Sequence, residues 1–179
     1  MPVLAPPAAA QMGSFLEALR EGYSRDTLRP ETDATIAAIE ADPAWFLRNV
    51  VDPPPTVVLP DGTLGERVPE TLLWYVEGST FLGSIQVRHR LTPVLEQWGG
   101  HIGYAVRPSA RGRGCASAML AGMLDHVRAH LPLSRVTLTA SVLNPASIRV
   151  IEKNGGVLER TVPHPWHDGE LGARYWITL

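Results

Sequence analysis

The sequence predicts a single α/β domain with a mixed β-sheet, and three observations lead to this fold class. Strand-like and helix-like apolar patterns alternate through the second half of the chain. A strand, a helix and a second strand between residues 102 and 142 form one crossover unit, which places two parallel strands in one sheet. Hairpin-like strand pairs before and after that unit make the sheet mixed. The chain of 179 residues is long enough for one hydrophobic core.

The N-terminal part of the chain is predicted to be helical after a loose start. Residues 1–11 are rich in Pro and Ala, and we expect them to be loose. Apolar residues at helical spacing predict a helix over residues 12–23 and a second helical stretch over residues 31–50. Pro43 should break that second stretch in two, with Asp42 as the N-cap of the second piece.

A loop, a hairpin and a second connection follow these helices. Residues 52–65 contain many prolines and turn residues, which predicts a loop. Strand-like runs over residues 71–76 and 81–87 predict a hairpin that turns near Gly78. Residues 88–100 are predicted to be a longer connection.

The second half of the chain continues with the crossover unit and a closing pair of strands. Asn144 and Pro145 supply an N-cap followed by Pro at the first helical position, which predicts the start of a helix. A polar loop that contains Trp166 separates the last two strands. The predicted elements are a strand over residues 102–106, a helix over 115–130, a strand over 135–142, a helix over 144–154, and strands over 157–162 and 174–178.

The composition narrows the classes of function. The formal net charge is −2, which weighs against a broad nucleic-acid-binding surface. The single cysteine, Cys115, excludes an intrachain disulfide and a cysteine-based zinc site. No apolar run approaches the length that spans a membrane, and the first ten residues lack the pattern of a signal peptide. We therefore expect a cytoplasmic protein with no nucleic acid and no membrane among its partners.

The most informative stretch is the turn between the strand over residues 102–106 and the helix that follows. Gly112 and Gly114 lack a Cβ, so the backbone there can approach phosphate oxygens closely. Arg111 and Arg113 can donate charge-assisted hydrogen bonds, and the N-terminus of the next helix favours an anion. The stretch therefore predicts a pyrophosphate-binding site, with an exposed basic turn as the alternative. The absence of a Walker lysine weighs against nucleotide hydrolysis.

Two sequence signatures resemble those of the GCN5-related N-acetyltransferase (GNAT) superfamily. The strand that ends in Val106-x-Pro108, together with the turn Arg111-x-x-Gly114-x-Ala116, resembles the acetyl-CoA-binding signature of that superfamily. Its second signature, a strand-loop-helix segment, is resembled by Asn144-x-x-Ser147 and the helix after it. The similarity is strongest to a group of bacterial predicted acetyltransferases of unassigned substrate, and it spans about residues 71–179.

The resemblance implies a fold, a cosubstrate and a reaction. In that superfamily two parallel strands of a mixed central sheet, flanked by helices, splay apart, and the pantetheine arm of CoA lies in the gap. The domain would cover residues 12–179, with its cofactor-binding core at about residues 71–162. Acetyl-CoA would be the cosubstrate, no metal would be needed, and the acceptor would be an amine on a small molecule, a peptide or a protein. The implied cofactor-binding residues are Tyr104, Ala105, Val106, Arg111, Gly112, Arg113, Gly114, Cys115, Ala116, Asn144 and Ser147.

Candidates for the acyl-transfer chemistry lie close to the same strand. His101 is the first candidate for the general base, because an unperturbed imidazole has a pKa of about 6.5; a structural histidine is the alternative. The superfamily often has a tyrosine proton donor seven residues after the asparagine, but that position is Ile151 here. Tyr104 is therefore the candidate donor, with core packing as its alternative role. Arg88 and His89 are candidates for binding an acidic group of the substrate.

Other interpretations of the same residues stay open. Glu96 could act as a base through water, and Cys115, among arginines at a helix N-terminus, could serve as a covalent nucleophile. His164, His167 and Asp168 could suggest a metal, although their loop is better explained as part of the acceptor side. The leading function is direct acetyl transfer in a ternary complex. A CoA-binding module without catalysis and a nucleic-acid-binding domain are the alternatives, and a homodimer is left open.

Overall fold

The architecture is given by a computed structural model, which describes residues 1–25, 31–59, 62–165 and 167–179. Trp166 of the predicted polar loop therefore lies outside the described residues. The strands are β1 (Val3–Ala5), β2 (Thr56–Val58), β3 (Leu64–Glu66), β4 (Glu70–Glu77), β5 (Thr80–Arg88), β6 (Ile102–Val106), β7 (Arg135–Ser141), β8 (Val157–Pro163) and β9 (Leu171–Thr178). The α-helices are α1 (Met12–Arg20), α2 (Asp33–Ala41), α3 (Pro43–Val51), α4 (Pro93–Gln97), α5 (Cys115–His130) and α6 (Pro145–Lys153).

The chain divides into two compact units. Unit 1 comprises Met1–Pro54, Leu72–Ile85 and Tyr104–Met119. Unit 2 comprises Pro55–Thr71, Gln86–Gly103 and Leu120–Leu179. Each unit contributes its own set of buried apolar side chains.

The strand order leaves β6 and β7 at sheet edges. A four-stranded sheet has the order β1-β4-β5-β6, and a three-stranded sheet has the order β7-β9-β8. In the described chain β6 thus has one strand neighbour, β5, and β7 has one, β9. Within unit 2, just before β6, Gly100 forms an isolated bridge with Leu138 of β7. An edge strand presents backbone groups that a ligand can pair with.

Unit 1 is built around an aromatic cluster. Phe15, on the apolar face of α1, has its ring centroid 4.9 Å from that of Trp74 in β4. The ring of Phe81 in β5 meets Phe15 edge-on at 5.1 Å, and Phe46 of α3 stacks on Phe15 at 5.2 Å. Since aromatic side chains bury large apolar areas, this cluster holds α1 and α3 against β4 and β5.

The three-stranded sheet of unit 2 has a buried apolar face. β7 pairs antiparallel with β9, with Val136 opposite Ile177 and Leu138 opposite Tyr175. All four side chains are buried. Alternate residues of a strand share one face, so these positions form the apolar face of the sheet.

The main helices and strands confirm the predictions from apolar spacing and caps. The helical stretch over residues 31–50 is broken before Pro43, and the Asp42 carboxylate accepts a hydrogen bond from the backbone N–H of Trp45 at 2.8 Å. Asn144 caps α6 in the same way, accepting from the N–H of Ser147 at 3.1 Å. Local side-chain chemistry fixes these boundaries, which is why they can be recognised in the sequence.

Four short elements of the described chain were not predicted. β1 pairs with β4, with Leu4 opposite Tyr75, although residues 1–11 were expected to be loose. β2 lies inside the stretch 52–65 and pairs with β3, which begins in that stretch and ends at Glu66, so the prediction of a plain loop there is wrong. α4 forms inside the connection 88–100. These elements are too short to show a period, and β1 depends on a partner strand far along the chain.

Replacement of Gly83 in β5 by Ala is expected to lower the free energy of unfolding by about 1–3 kcal/mol. A Cβ at this position would lie 2.5 Å from the carbonyl oxygen of Ala105 and 3.2 Å from Cα of Val106, both in β6. Neither backbone atom can move away without disturbing the strand pair. The measurement is the urea unfolding midpoint and slope.

Gly13→Ala is the matched control for this substitution. Gly13 lies in α1, and a Cβ there would meet nothing within 4 Å. Because Ala is a better helix former than Gly, this variant should gain about 0.5–1 kcal/mol. Equal stabilities of the Gly83 variant and the wild type would contradict the close approach of β5 and β6.

Candidate functional site

The Arg/Gly turn of unit 1 runs from the end of β6 to the start of α5. A single 3₁₀ turn covers Pro108–Ala110, in which the N–H of Ala110 donates to the carbonyl of Arg107 at 2.9 Å. Gly112 has φ +73° and Gly114 has φ +80°, a region that other residues rarely adopt. A Cβ at either glycine would meet nothing within 4 Å. Conformation, rather than crowding, is thus what requires glycine here.

The backbone amides of this turn are the feature that suits it to an anion. The N–H of Arg111 donates to Pro108 O, and the N–H of Ala118 donates to Gly114 O. The amides in between, from Gly112 to Ala116, donate to no acceptor among the residues that the structure describes. Unbonded amides at a helix N-terminus, next to residues with positive φ, form a concave array of donors that can bind phosphate oxygens.

The two arginines of the turn are both exposed, but they differ in their contacts. The Nε of Arg111 donates to the carbonyl of Val106 at 3.3 Å, so its side chain folds back on the end of β6. Arg113 forms no hydrogen bond or ion pair with any described residue. Its guanidinium group can therefore contact a ligand without first losing a protein partner.

Arg107 anchors the start of the turn, a role that the sequence analysis missed. Its buried guanidinium donates from Nε and Nη2 to Oε1 of Glu21, at 2.9 and 2.5 Å, and from Nη1 to Oγ of Ser14 at 2.8 Å. Oε2 of Glu21 also accepts from the N–H of Ser109 at 3.2 Å. The hydrogen bonds from Arg107 lower the pKa of Glu21 to about 2. Because Glu21 lies 86 residues before Arg107, no local sequence pattern indicates that the two residues form a pair.

Cys115 and Tyr104 are also in unit 1. The Cys115 side chain is buried, which agrees with a packing role more than with an accessible nucleophile. Tyr104 is half-buried in β6. Its role as a proton donor remains a prediction.

His101, the first candidate for the general base, is buried in unit 2. Its Nδ1 accepts a hydrogen bond from the backbone N–H of Thr137 at 3.1 Å. Since a backbone N–H can only donate, the neutral ring carries its proton on Nε2. Burial, together with the guanidinium groups of Arg174 and Arg88, lowers the pKa of His101 to about 4. A ring held in this way has no free lone pair that could accept a proton from an amine. These contacts therefore favour a structural role for His101, and its role as the general base remains a prediction.

The lowered pKa predicts that His101 stays neutral near physiological pH. Its folded-state pKa of about 4 lies below the ordinary 6.5, so the unfolded chain takes up the proton first. The contribution of His101 to stability should therefore fall as the pH drops below about 6.5 and stop changing below about 4. We expect the ring signals in a ¹H–¹³C NMR titration to move only near the lower value. The protein unfolded in urea is the control, and titration of the folded ring near its ordinary pKa would contradict the burial.

The remaining candidates of unit 2 already have protein partners. Nη1 of Arg88 donates to the carbonyl of Gly100 at 3.0 Å, and Nε2 of His89 lies 2.9 Å from Oγ1 of Thr71. Both were predicted to bind an acidic group of the substrate, and that role remains a prediction. Ile151, at the position where the superfamily often has a tyrosine, is buried.

The polar loop before β9 does not form a metal centre in the part of the chain described. The rings of His164 and His167 lie 4.4 Å apart. No group of three or more His, Cys, Asp or Glu side chains that could hold a metal ion is found among the described residues. Likewise, no helix in the described ranges is long and apolar enough to cross a membrane.

The family-model comparison establishes the class of protein. Residues 26–157 match the model of the acetyltransferase (GNAT) domain, which is well over half of the chain. The chain therefore belongs to the GNAT acetyltransferase family, and the resemblance recognised in the sequence is confirmed. No significant match was found among the curated proteins.

Solved structures of GNAT enzymes have the same fold. A spermidine N-acetyltransferase SpeG chimera from Vibrio cholerae and hSSAT has 14% identity and a TM-score of 0.62, over 99% of this chain and 95% of that chain. RimL, a ribosomal L7/L12 α-N-protein acetyltransferase in complex with coenzyme A, has 14% identity and a TM-score of 0.63, over 99% of this chain and 94% of that chain. An N-acetyltransferase from Staphylococcus aureus Mu50 has 17% identity and a TM-score of 0.59, over 99% and 98%. At these identities the likeness concerns the fold, and it confirms the predicted α/β GNAT-like class.

Proposed function

We propose that this protein transfers an acetyl group from acetyl-CoA to a primary amine, directly, within a ternary complex. The observation that carries the proposal is the run of unbonded amides from Gly112 to Ala116, beside two glycines with positive φ. Membership of the GNAT family supports the same chemistry. We further propose a cytoplasmic enzyme that needs no metal.

The residues of the turn fit the pyrophosphate of CoA. The amides from Gly112 to Ala116 would donate to its oxygens, and the N-terminus of α5 would add a favourable dipole. Arg111 and Arg113 would add charge-assisted hydrogen bonds. The open edge of β6, over residues 104–106, would pair with the amides of the pantetheine arm, as a strand pairs with a sheet edge.

Asn144 and Ser147 are proposed to contact the same pantetheine arm. Oδ1 of Asn144 is used by the N-cap, accepting from the backbone N–H of Ser147. That cap leaves the Nδ2 donors for a carbonyl of the arm, so the structural and the binding roles are compatible. Ser147 would contribute its hydroxyl.

Once the thioester and the amine are correctly positioned, acetyl transfer needs few catalytic groups from the protein. A backbone N–H of β6, at Ala105 or Val106, is proposed to stabilise the thioester oxygen as it becomes negative. An alkyl amine has a pKa of about 10.4 and must lose a proton before it attacks. His101 is the proposed base only if its bond with Thr137 opens; otherwise water takes the proton. The thiolate, with a thiol pKa of about 8.5, can leave with or without a proton from Tyr104.

The related enzymes support an amine as the acceptor. The names of SpeG and RimL state spermidine and a ribosomal protein N-terminus as their acceptors. Both present a primary amine, and we propose that this chain uses the same chemical class. Light scattering of the same preparations would show whether the chain forms a homodimer, which the sequence left open.

A non-catalytic CoA-binding module is the second candidate, and two observations favour it. Ile151 is buried and has no proton to give, and Nδ1 of the neutral His101 ring already accepts from a backbone N–H, so the ring has no free lone pair for an amine. Such a protein would bind CoA through the same Arg/Gly turn but would not catalyse acetyl transfer.

One experiment separates the two candidates. Isothermal titration measures CoA binding, and a free-thiol assay follows acetyl-CoA with a panel of spermidine, small amines and peptides with free N-termini. The enzyme predicts CoA binding, amine-dependent thiol release and intersecting lines in initial-rate plots. Binding without thiol release for every amine would favour the module, and parallel lines would indicate a covalent intermediate. No binding of CoA would overturn both.

A further inference from the structure

A cavity of about 360 Å³ in unit 2 has an unusual set of charges. None of the proposed cofactor-binding residues lines it. Its walls come from the connection before β6, from His101 and from the three strands of the sheet. The lining residues are Leu91, Glu96, His101, Arg135, Arg160, Arg174 and Trp176.

Two of its arginines have no carboxylate within ion-pair distance among the described residues, although Arg160 is near enough to Glu159 to help lower the pKa of that carboxyl group. Arg135 and Arg160 are exposed, and neither side chain forms a hydrogen bond or an ion pair with any residue that the structure describes. Cζ of Arg135 lies 4.1 Å from the ring centroid of Trp176. Stacking on an aromatic face holds a guanidinium in place but leaves its N–H groups, at the edge of the plane, available to an acceptor.

The third arginine, Arg174, and the neutral ring of His101 form a buried floor of N–H donors. Nε of Arg174 donates to Glu159 at 2.7 Å, and its Nη1 donates to the carbonyl of Glu96. Because Nδ1 of His101 accepts from a backbone N–H, the group that this ring can offer a ligand is the Nε2–H donor. The site thus presents N–H donors from four side chains.

The charge balance of the cavity favours an anion. Three guanidinium groups, of Arg135, Arg160 and Arg174, face two carboxylates, of Glu96 and Glu159, so the net charge is +1. Glu159 is already paired with Arg174, whereas the exposed carboxylate of Glu96 is the one group that opposes an anionic ligand.

We propose that this cavity of unit 2 binds a small organic carboxylate. The planar fork of Arg135, oriented by Trp176, matches the two oxygens of a carboxylate, and Arg160 adds a second cation. Leu91 and the indole supply apolar surface for the body of the ligand. The volume lies near the lower end of the range of about 300–1,000 Å³ found for small-molecule sites. The inference rests on unit 2 alone and does not depend on the proposed acetyl transfer.

Benzoate is the probe, with benzamide as its uncharged analogue of nearly the same shape. We expect saturable binding of benzoate by NMR, with shifts at the indole N–H of Trp176 and the ring of His101, and much weaker binding of benzamide. Arg135→Gln and Arg160→Gln should each lower the affinity for benzoate by about tenfold, since each removes a charge-assisted contact. Glu96→Gln should strengthen it, because the opposing charge is lost.

The matched control is Arg149→Gln, which removes an exposed arginine of α6 that does not line the cavity. Its affinity for benzoate should equal that of the wild type. The proposal is overturned if benzoate does not saturate below roughly 10 mM, if benzamide binds equally well, or if Arg149→Gln weakens binding as much as the two cavity variants. Circular dichroism of each variant shows that the fold is kept, and the two single variants provide independent readings.

Discussion

Replacement of Gly114 by Val is expected to lower the affinity for CoA by more than about 100-fold, because several backbone donors are displaced together. Gly114 has φ +80°, and a side chain there costs roughly 1–2 kcal/mol if the conformation is kept. A β-branched residue instead favours a negative φ, which would turn the neighbouring amides away from a common point. Since a Cβ at this position meets nothing within 4 Å, the rest of the fold has no reason to change.

Gly78→Val is the matched control for this prediction. Gly78 has φ +60° in the turn between β4 and β5 of unit 1, and a Cβ there also meets open space. The control carries the same kind of backbone cost without touching the Arg/Gly turn. Isothermal titration with CoA and urea unfolding of both variants separate the two effects. Equal losses of CoA affinity in both variants, or none in Gly114→Val, would remove the turn from the cofactor site.

Replacement of Glu21 by Gln is expected to lower the free energy of unfolding by about 2–3 kcal/mol at neutral pH, since it removes charge-assisted hydrogen bonds to a buried guanidinium. Arg107 would retain Ser14 and the weaker contact with Glu17 at 3.3 Å. The N–H of Ser109 would lose a charged acceptor, so the start of the turn should also become less ordered. We therefore expect a weaker affinity for CoA in addition to the loss of stability.

The effect of Glu21→Gln should depend on pH in a defined direction. The folded-state pKa of Glu21 is about 2, below the ordinary value of 4.5. A lowered carboxyl pKa contributes stability that is fully present above the unfolded value and is lost as the pH falls toward the folded one. The difference between the wild type and the variant should therefore shrink between about pH 5 and pH 2.5. A difference that is constant over this range would contradict the charged pair.

The control for Glu21 is Asp125→Asn. Asp125 pairs with Arg128 on the exposed surface of α5 at 2.8 Å, with side-chain exposures of 79% and 47%. An exposed pair of this kind contributes less than about 1 kcal/mol, so this variant should unfold close to the wild type. A similar loss in both variants would mean that the burial of Arg107 has no energetic consequence.

Much of the fold could be predicted because local signals coincide with long periodic segments. The boundary between α2 and α3 follows from Asp42 and Pro43 alone, and β6, α5 and α6 have caps or turns next to a clear apolar period. β1 could not be found in this way, because its three residues form a strand only when β4 is available to pair with them. α4, with five residues, is likewise too short for its pattern to stand out.

In the candidate site, too, the features set by local sequence could be predicted and those set by distant residues could not. The positive φ of Gly112 and Gly114 was predictable, because a turn that must present its amides excludes side chains there. The pair of Arg107 and Glu21 was not, since nothing near either residue indicates the other. The environment of His101 was equally hidden, because its burial and its bond with Thr137 arise from the pairing of distant segments.

The most direct test of the account follows the amides of the Arg/Gly turn while CoA is added. In ¹H–¹⁵N NMR spectra we expect the signals from Gly112 to Ala116 to move downfield and to saturate together with the binding measured by calorimetry, because each amide gains a charged acceptor. Dephospho-CoA, which keeps the pyrophosphate, should move the same signals. If CoA binds and these five amides do not respond, the pyrophosphate is held elsewhere and the proposed site is wrong.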